Sequence, residues 1–136
     1  MERLAFEIPR VVLASHAGTH LVVHLAWETH AERSLVCEDG SLAAALRAAA
    51  RELACVVLAA GHTDREVHAL VRYPPTLCVS ELVERLKEVS AAAWRGARRR
   101  RPMWSSGYVA RSCDPSRAEV RAAWIGRLVP AAPVVS

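Results

Sequence analysis

Alternation sets the first element of the chain. Between Thr19 and Trp27, the residues Leu21, Val23, Leu25 and Trp27 fall on one face of an extended backbone, and His20, Val22, His24 and Ala26 fall on the other. That period of two predicts a strand. Beyond a polar stretch ending at Gly40 the period lengthens. Leu42, Leu46, Ala49 and Leu53 recur at helical spacing, with Arg47 and Arg51 off the stripe, and Ser41 stands in place for a cap, so a helix is expected from Leu42 to about Ala54. Cys55 to Ala60 reads as a second strand ended by Gly61, Asp64 and Arg65 fit a turn, and Glu66 to Arg72 reads as a third strand. A hairpin is the economical pairing of these two. Pro74 and Pro75 stop the run, and Ser80 opens a second helix to about Trp94. Its inward positions are Leu82, Leu86, Val89 and Ala93, while Glu84, Arg85, Lys87 and Glu88 point to water. Trp104 to Ser112 is expected to form a fourth strand, and Asp114-Pro115-Ser116 opens a last helix, about Arg117 to Leu128, with Ser116 as a cap.

The first six elements make a split βαβ pattern. They predict an α+β fold, a ferredoxin-like antiparallel sheet (βαββαβ) with an extra C-terminal helix. The 136 residues suit one domain, placed at 19–128. Residues 1–18 form an N-terminal extension in which Arg10 to Ala14 is compatible with a short strand, and 129–136 are expected to be a disordered tail.

Composition narrows the class only a little. A 52% apolar content supports a folded core. The excess of arginine over the one lysine, Lys87, fits a GC-rich coding bias, and the net charge of +4 permits a polyanionic partner without requiring one. Cys37, Cys55, Cys78 and Cys113 lie far apart with no CxxC pair, which points to reduced thiols rather than a zinc knuckle or a disulfide framework. No apolar run reaches the roughly 18 residues of a membrane span, and the N-terminus has no signal-peptide pattern. A soluble, cytoplasmic protein is expected.

Several strings then occur in a telling order. They are the strand His20-Leu21-Val22-Val23-His24-Leu25-Ala26-Trp27, the strand Glu66-Val67-His68-Ala69-Leu70-Val71, the helix start Val79-Ser80-Glu81-Leu82-Val83-Glu84-Arg85-Leu86-Lys87, and Trp104-Ser105-Ser106-Gly107-Tyr108. Their order and spacing resemble the single-tyrosine HUH transposases of the insertion-sequence 200/605 type and the REP-associated tyrosine transposases. The resemblance spans roughly Thr19 to Leu128. It implies a dimeric enzyme that cuts and rejoins single-stranded DNA at hairpins. Two histidines flanking one apolar residue would hold a divalent cation at the scissile phosphate. A tyrosine on the last helix would attack phosphorus, and a glutamine one turn later would complete the metal shell.

This chain departs from that pattern. His68 matches the second histidine, but Glu66 replaces the first, pointing the same way by the period of two. A carboxylate and an imidazole still suit Mg²⁺ or Mn²⁺. They equally suit a plain polar pair on an open sheet face, and His24 would join them if its strand lies alongside. At the nucleophile position stands Ala123 or Trp124, depending on the local alignment, and the glutamine position becomes Arg127 or Leu128. None of these performs the expected step.

Tyr73 and Tyr108 are the remaining candidates for a displaced nucleophile. For DNA contacts the candidates are Lys87, Arg95 and the run Arg98, Arg99, Arg100 and Arg101, which would touch mainly phosphates. Trp94 and Trp104 bracket the run and suit either base stacking or a core, while Trp27 and Trp124 suit core or dimer contacts. The expectation is a degenerate, domesticated transposase relative. As a homodimer it binds single-stranded or hairpin DNA without cutting it. The alternatives are an active enzyme using a displaced tyrosine and a protein-interaction module.

Overall fold

The computed structural model describes residues 21–29, 41–95 and 104–128, apart from the side chains of Ser41 and of residues 93–95. The extension 1–18, the tail 129–136, His20, Cys37 and the run Arg98 to Arg101 lie outside the described residues, as do the side chains of Trp94 and Arg95. The elements in chain order are β1 (Leu21–Glu28), α1 (Ser41–Glu52), β2 (Val56–His62), β3 (Glu66–Tyr73), α2 (Val79–Arg95), β4 (Val109–Ser112), a single 3₁₀ turn (Pro115–Arg117) and α3 (Ala118–Gly126). The sheet order is β2-β3-β1-β4, with every neighbouring pair antiparallel. This is the expected ferredoxin-like α+β fold with a C-terminal helix.

β1 lies between β3 and β4 and is covered on both faces, which explains its nearly continuous apolar sequence. Val23, Leu25 and Trp27 join Val67, Ala69 and Val71 of β3 beneath α1 and α2. Into that layer α1 sends Leu42, Leu46, Ala49 and Ala50, and α2 sends Leu82, Val83 and Leu86. Trp27 meets Trp104 edge-on at 6.2 Å, and the Trp104 indole N–H donates to the Lys87 carbonyl. Both rings are core contacts. On the opposite face Val22, Ala59, Leu70 and Cys113 form a smaller cluster closed by Ile125 of α3. The sheet is therefore sandwiched between two helices and one.

Local chemistry corrects several expected boundaries. α1 ends in a Schellman turn, with Cys55 N–H on the Ala50 carbonyl and Ala54 N–H on the Arg51 carbonyl, which puts Ala54 at φ 62°. The start of α2 belongs to Cys78 rather than Ser80. The Cys78 carbonyl accepts from Glu81 and Leu82, and Ser80 already lies within the first turn. Likewise Asp114, not Ser116, caps the last segment, accepting from both the backbone N–H and the hydroxyl of Ser116. The fourth strand keeps only Val109–Ser112, because Gly107 turns the chain at φ 90°. Trp104 survives as an isolated bridge to Thr29. The Lys87 ammonium donates to the Ser105 and Gly107 carbonyls at 3.1 Å each, so this side chain clamps the irregular segment instead of facing water. In β2 the register slips between Val57 and Ala59, leaving Leu58 as a bulge.

Candidate active site

Strand register assembles the site. Ala26 lies opposite His68 and His24 opposite Leu70, so His24 and His68 are diagonal neighbours on the face turned toward α3. Glu66 shares that face two residues before His68. Its position is fixed by the β2–β3 turn, where the Thr63 hydroxyl accepts from the Arg65 and Glu66 amides. β4 brings Arg111 opposite His24, and α3 lays Arg121 and Trp124 over the imidazoles. These side chains line a cavity of about 720 Å³ that also admits Tyr108 and Val120 at its wall.

A continuous chain of hydrogen bonds crosses the floor. Arg121 Nη1 lies 3.0 Å from His24 Nδ1, His24 Nε2 lies 2.9 Å from His68 Nδ1, and His68 Nε2 lies 3.0 Å from Glu66 Oε1. A guanidinium only donates, so His24 Nδ1 accepts and its proton is on Nε2. His68 then accepts at Nδ1 and donates from Nε2 to the Glu66 carboxylate. One tautomer of each ring satisfies all three contacts. Burial, followed by the neighbouring His68, Arg121 and Arg111, pushes the His24 imidazole down from 6.5 to about 4, which agrees with a neutral ring that is only 8% exposed.

The same proton assignment tests the Mg²⁺ or Mn²⁺ site at Glu66 and His68. A cation between these groups needs the lone pair of His68 Nε2, which moves the ring proton to Nδ1. His24 must then accept at Nε2 and carry its own proton on Nδ1, against the Arg121 N–H. Two donors would face each other at 3.0 Å. A metal at Glu66–His68 therefore cannot coexist with the His24–His68 and Arg121–His24 hydrogen bonds together. His24 reaches His68 as a hydrogen-bond partner, not as a third ligand. Among the described residues no cluster of three or more His, Cys, Asp or Glu could hold a metal ion. The arrangement does not fit the cation.

Of the two residues at the nucleophile position, Trp124 faces the site, its ring 5.9 Å from His24 and 5.6 Å from His68, whereas Ala123 does not line the cavity. Arg127 is exposed, and Leu128 packs against the Ile125 cluster. The displaced tyrosines separate cleanly. Tyr73 packs into the core under α1 and α2, on the sheet face away from the imidazoles, and burial pushes its phenol above the ordinary value. Tyr108 lines the cavity and is 39% exposed.

Arg111 and Arg121 were not among the sequence candidates. Their signal was present, since Arg121 and Trp124 are three apart and share a helix face. It could be read only once the docking of α3 and the β1–β4 register were known.

The sequence profile of the family described as Transposase IS200 like matches residues 18–127, and the chain belongs to that family. Its fold is similar to a crystal structure from Deinococcus radiodurans R1 described as a candidate transposase. The two are 20% identical with a TM-score of 0.63, and the match covers 83% of this chain and 95% of that one. No protein of curated function matches the chain. Among the described residues no helix is long and apolar enough to cross a membrane.

Proposed function

We propose that this member of the family binds single-stranded or hairpin DNA as a homodimer and does not cleave it. The observation that carries the reading is the face α3 turns toward the imidazole pair. That face offers Val120, Arg121 and Trp124, none of which carries a hydroxyl able to attack phosphorus. The metal pair of the family chemistry is also altered, because Glu66 stands in place of a histidine and is hydrogen-bonded to His68. Phosphate contacts are assigned to Arg111 and Arg121 in the cavity and, on sequence grounds, to Arg95, Arg98, Arg99, Arg100 and Arg101, while Lys87 holds the backbone at Ser105 and Gly107.

A second reading rests on Tyr108, whose phenol shares the cavity wall with Glu66 and His68. In that reading the tyrosine is a displaced nucleophile. The two are separated by incubating the full chain with labelled hairpins bearing single-stranded flanks, in Mg²⁺ or Mn²⁺, over a salt series. Binding that weakens with salt and leaves no denaturant-resistant adduct is the expected result. An adduct lost in Tyr108→Phe establishes the second reading. No binding even at low salt removes both and leaves a protein-interaction role.

A further inference from the structure

We infer that the cavity is a subsite for one unpaired nucleotide, with the base stacked on Trp124 and its phosphate held by Arg111 and Arg121 without a divalent cation. The inference rests on the DNA-binding reading above and specifies how that site engages its ligand.

Three observations converge on it. Trp124 is 45% exposed although His24 and His68 prop its ring from the sheet side at tilted and near-perpendicular angles. A large aromatic is thus held in a fixed attitude with surface to spare on the cavity side. Stacking on such a platform needs a free base face, which a paired and stacked base does not present. Second, neither Arg111 nor Arg121 has a carboxylate partner among the described residues, and both line this cavity. Glu66, on the same floor, is tied to His68. Two guanidiniums without counter-ions beside an aromatic platform match a phosphate joined to a planar ring. The volume, about 720 Å³, lies within the usual range of small-ligand sites.

The third observation is the proton assignment. A cation at Glu66–His68 breaks the hydrogen-bond chain that runs from Arg121 through His24 to His68, so while that chain is intact positive charge at the phosphate comes from Arg121 and not from a metal. Added Mg²⁺ or Mn²⁺ has no vacant ligand pair to fill while the chain from Arg121 to Glu66 stays intact.

The test uses the full chain and a fluorescently labelled DNA hairpin with a single-stranded flank, read by anisotropy. Affinity is expected to be the same in EDTA and in Mg²⁺. Trp124→Ala should weaken it roughly ten-fold or more, and Trp124→Phe should retain most of it. A flank scanned with single abasic sites should show one position that costs as much, and Trp124→Ala should abolish the penalty at that position. Arg111→Gln should weaken binding and flatten its salt dependence. Binding abolished by EDTA overturns the inference, as does Trp124→Ala protein that binds like wild type. If no hairpin binds at all, the DNA-binding reading itself fails; if hairpins bind but neither Trp124 nor any flank base matters, only the subsite fails.

Discussion

Gly61→Ala is a sharp probe of how the site is held together. A Cβ at Gly61 would stand 2.4 Å from the Ile125 carbonyl oxygen, where ordinary contact begins near 3.4 Å, so the strand and α3 must part by about 1 Å. The obstacle is backbone, and no side-chain rotation relieves it. Overpacking of this kind costs about 1–3 kcal/mol. Against it stands what docks α3. Ile125 is its one fully buried side chain, contributing about 1.5–3 kcal/mol, and the Arg121–His24 hydrogen bond adds about 1.5–3 kcal/mol. Nine residues of helix have little stability alone. The penalty takes up a large part of that docking energy without exceeding it, so α3 should loosen but stay docked while the core under α1 and α2 stays intact. Urea unfolding should show a loss of about 1–3 kcal/mol. Hydrogen exchange should accelerate at residues 118–126 and not in β1 or β3. Unchanged stability together with unchanged exchange in α3 would refute the close approach.

Three further outcomes follow from the described geometry. The His24 C2 proton should titrate near pH 4 by NMR. Because the folded value lies below the unfolded one, the unfolded chain binds the extra proton between these values, and stability falls as pH drops from about 6.5 toward 4. The loss is of order 3 kcal/mol and should largely vanish in His24→Gln; a midpoint near 6.5 would contradict the buried neutral ring. Cys78 is exposed, and hydrogen bonds from Ser80 and Glu81 hold its thiol below the ordinary value, whereas burial raises Cys55 and Cys113. Peptide mapping after brief iodoacetamide treatment at pH 7.5 should find Cys78 modified well ahead of those two. Finally, Ala54→Gly relieves a left-handed residue and should raise stability by about 0.5–1 kcal/mol, read as a higher Tm.

Much of this architecture was legible because β1, β3, α1 and α2 each obey one period. The alternation in β1 and the helical stripes of α1 and α2 name their own buried residues, down to Leu25, Leu46 and Leu82. Where a boundary depends on a distant partner, local pattern fails. β4 is shortened where Gly107 turns the chain and a lysine from α2 holds the turned segment, and the Cys78 cap is a residue type that cap preferences rank low. The site divides the same way. Glu66 and His68 share a face through strand geometry alone, and His24 needs only that β1 and β3 be neighbours. Arg111 and Arg121 need the β4 register and the seat of α3, both tertiary facts. A four-arginine run draws attention in a linear string, while two isolated arginines converging on one cavity do not.

The bulge at Leu58 carries a consequence for how the gene tolerates change. Before it, Val57 points into the layer under α1 and α2; after it, Ala59 and Gly61 point toward α3. One surplus residue thus reverses the parity of the strand's second half, so that the residue without a side chain falls where α3 comes closest. Deleting Leu58 would leave every pair of β2 with β3 intact and Gly61 still against the Ile125 carbonyl, whereas inserting one residue after Leu58 would present Ala60 there instead. The strand would accept the longer sequence and the helix on the far side would not. Single-residue insertions in β2 should therefore register as defects of the cavity, although β2 and α3 lie more than fifty residues apart along the chain.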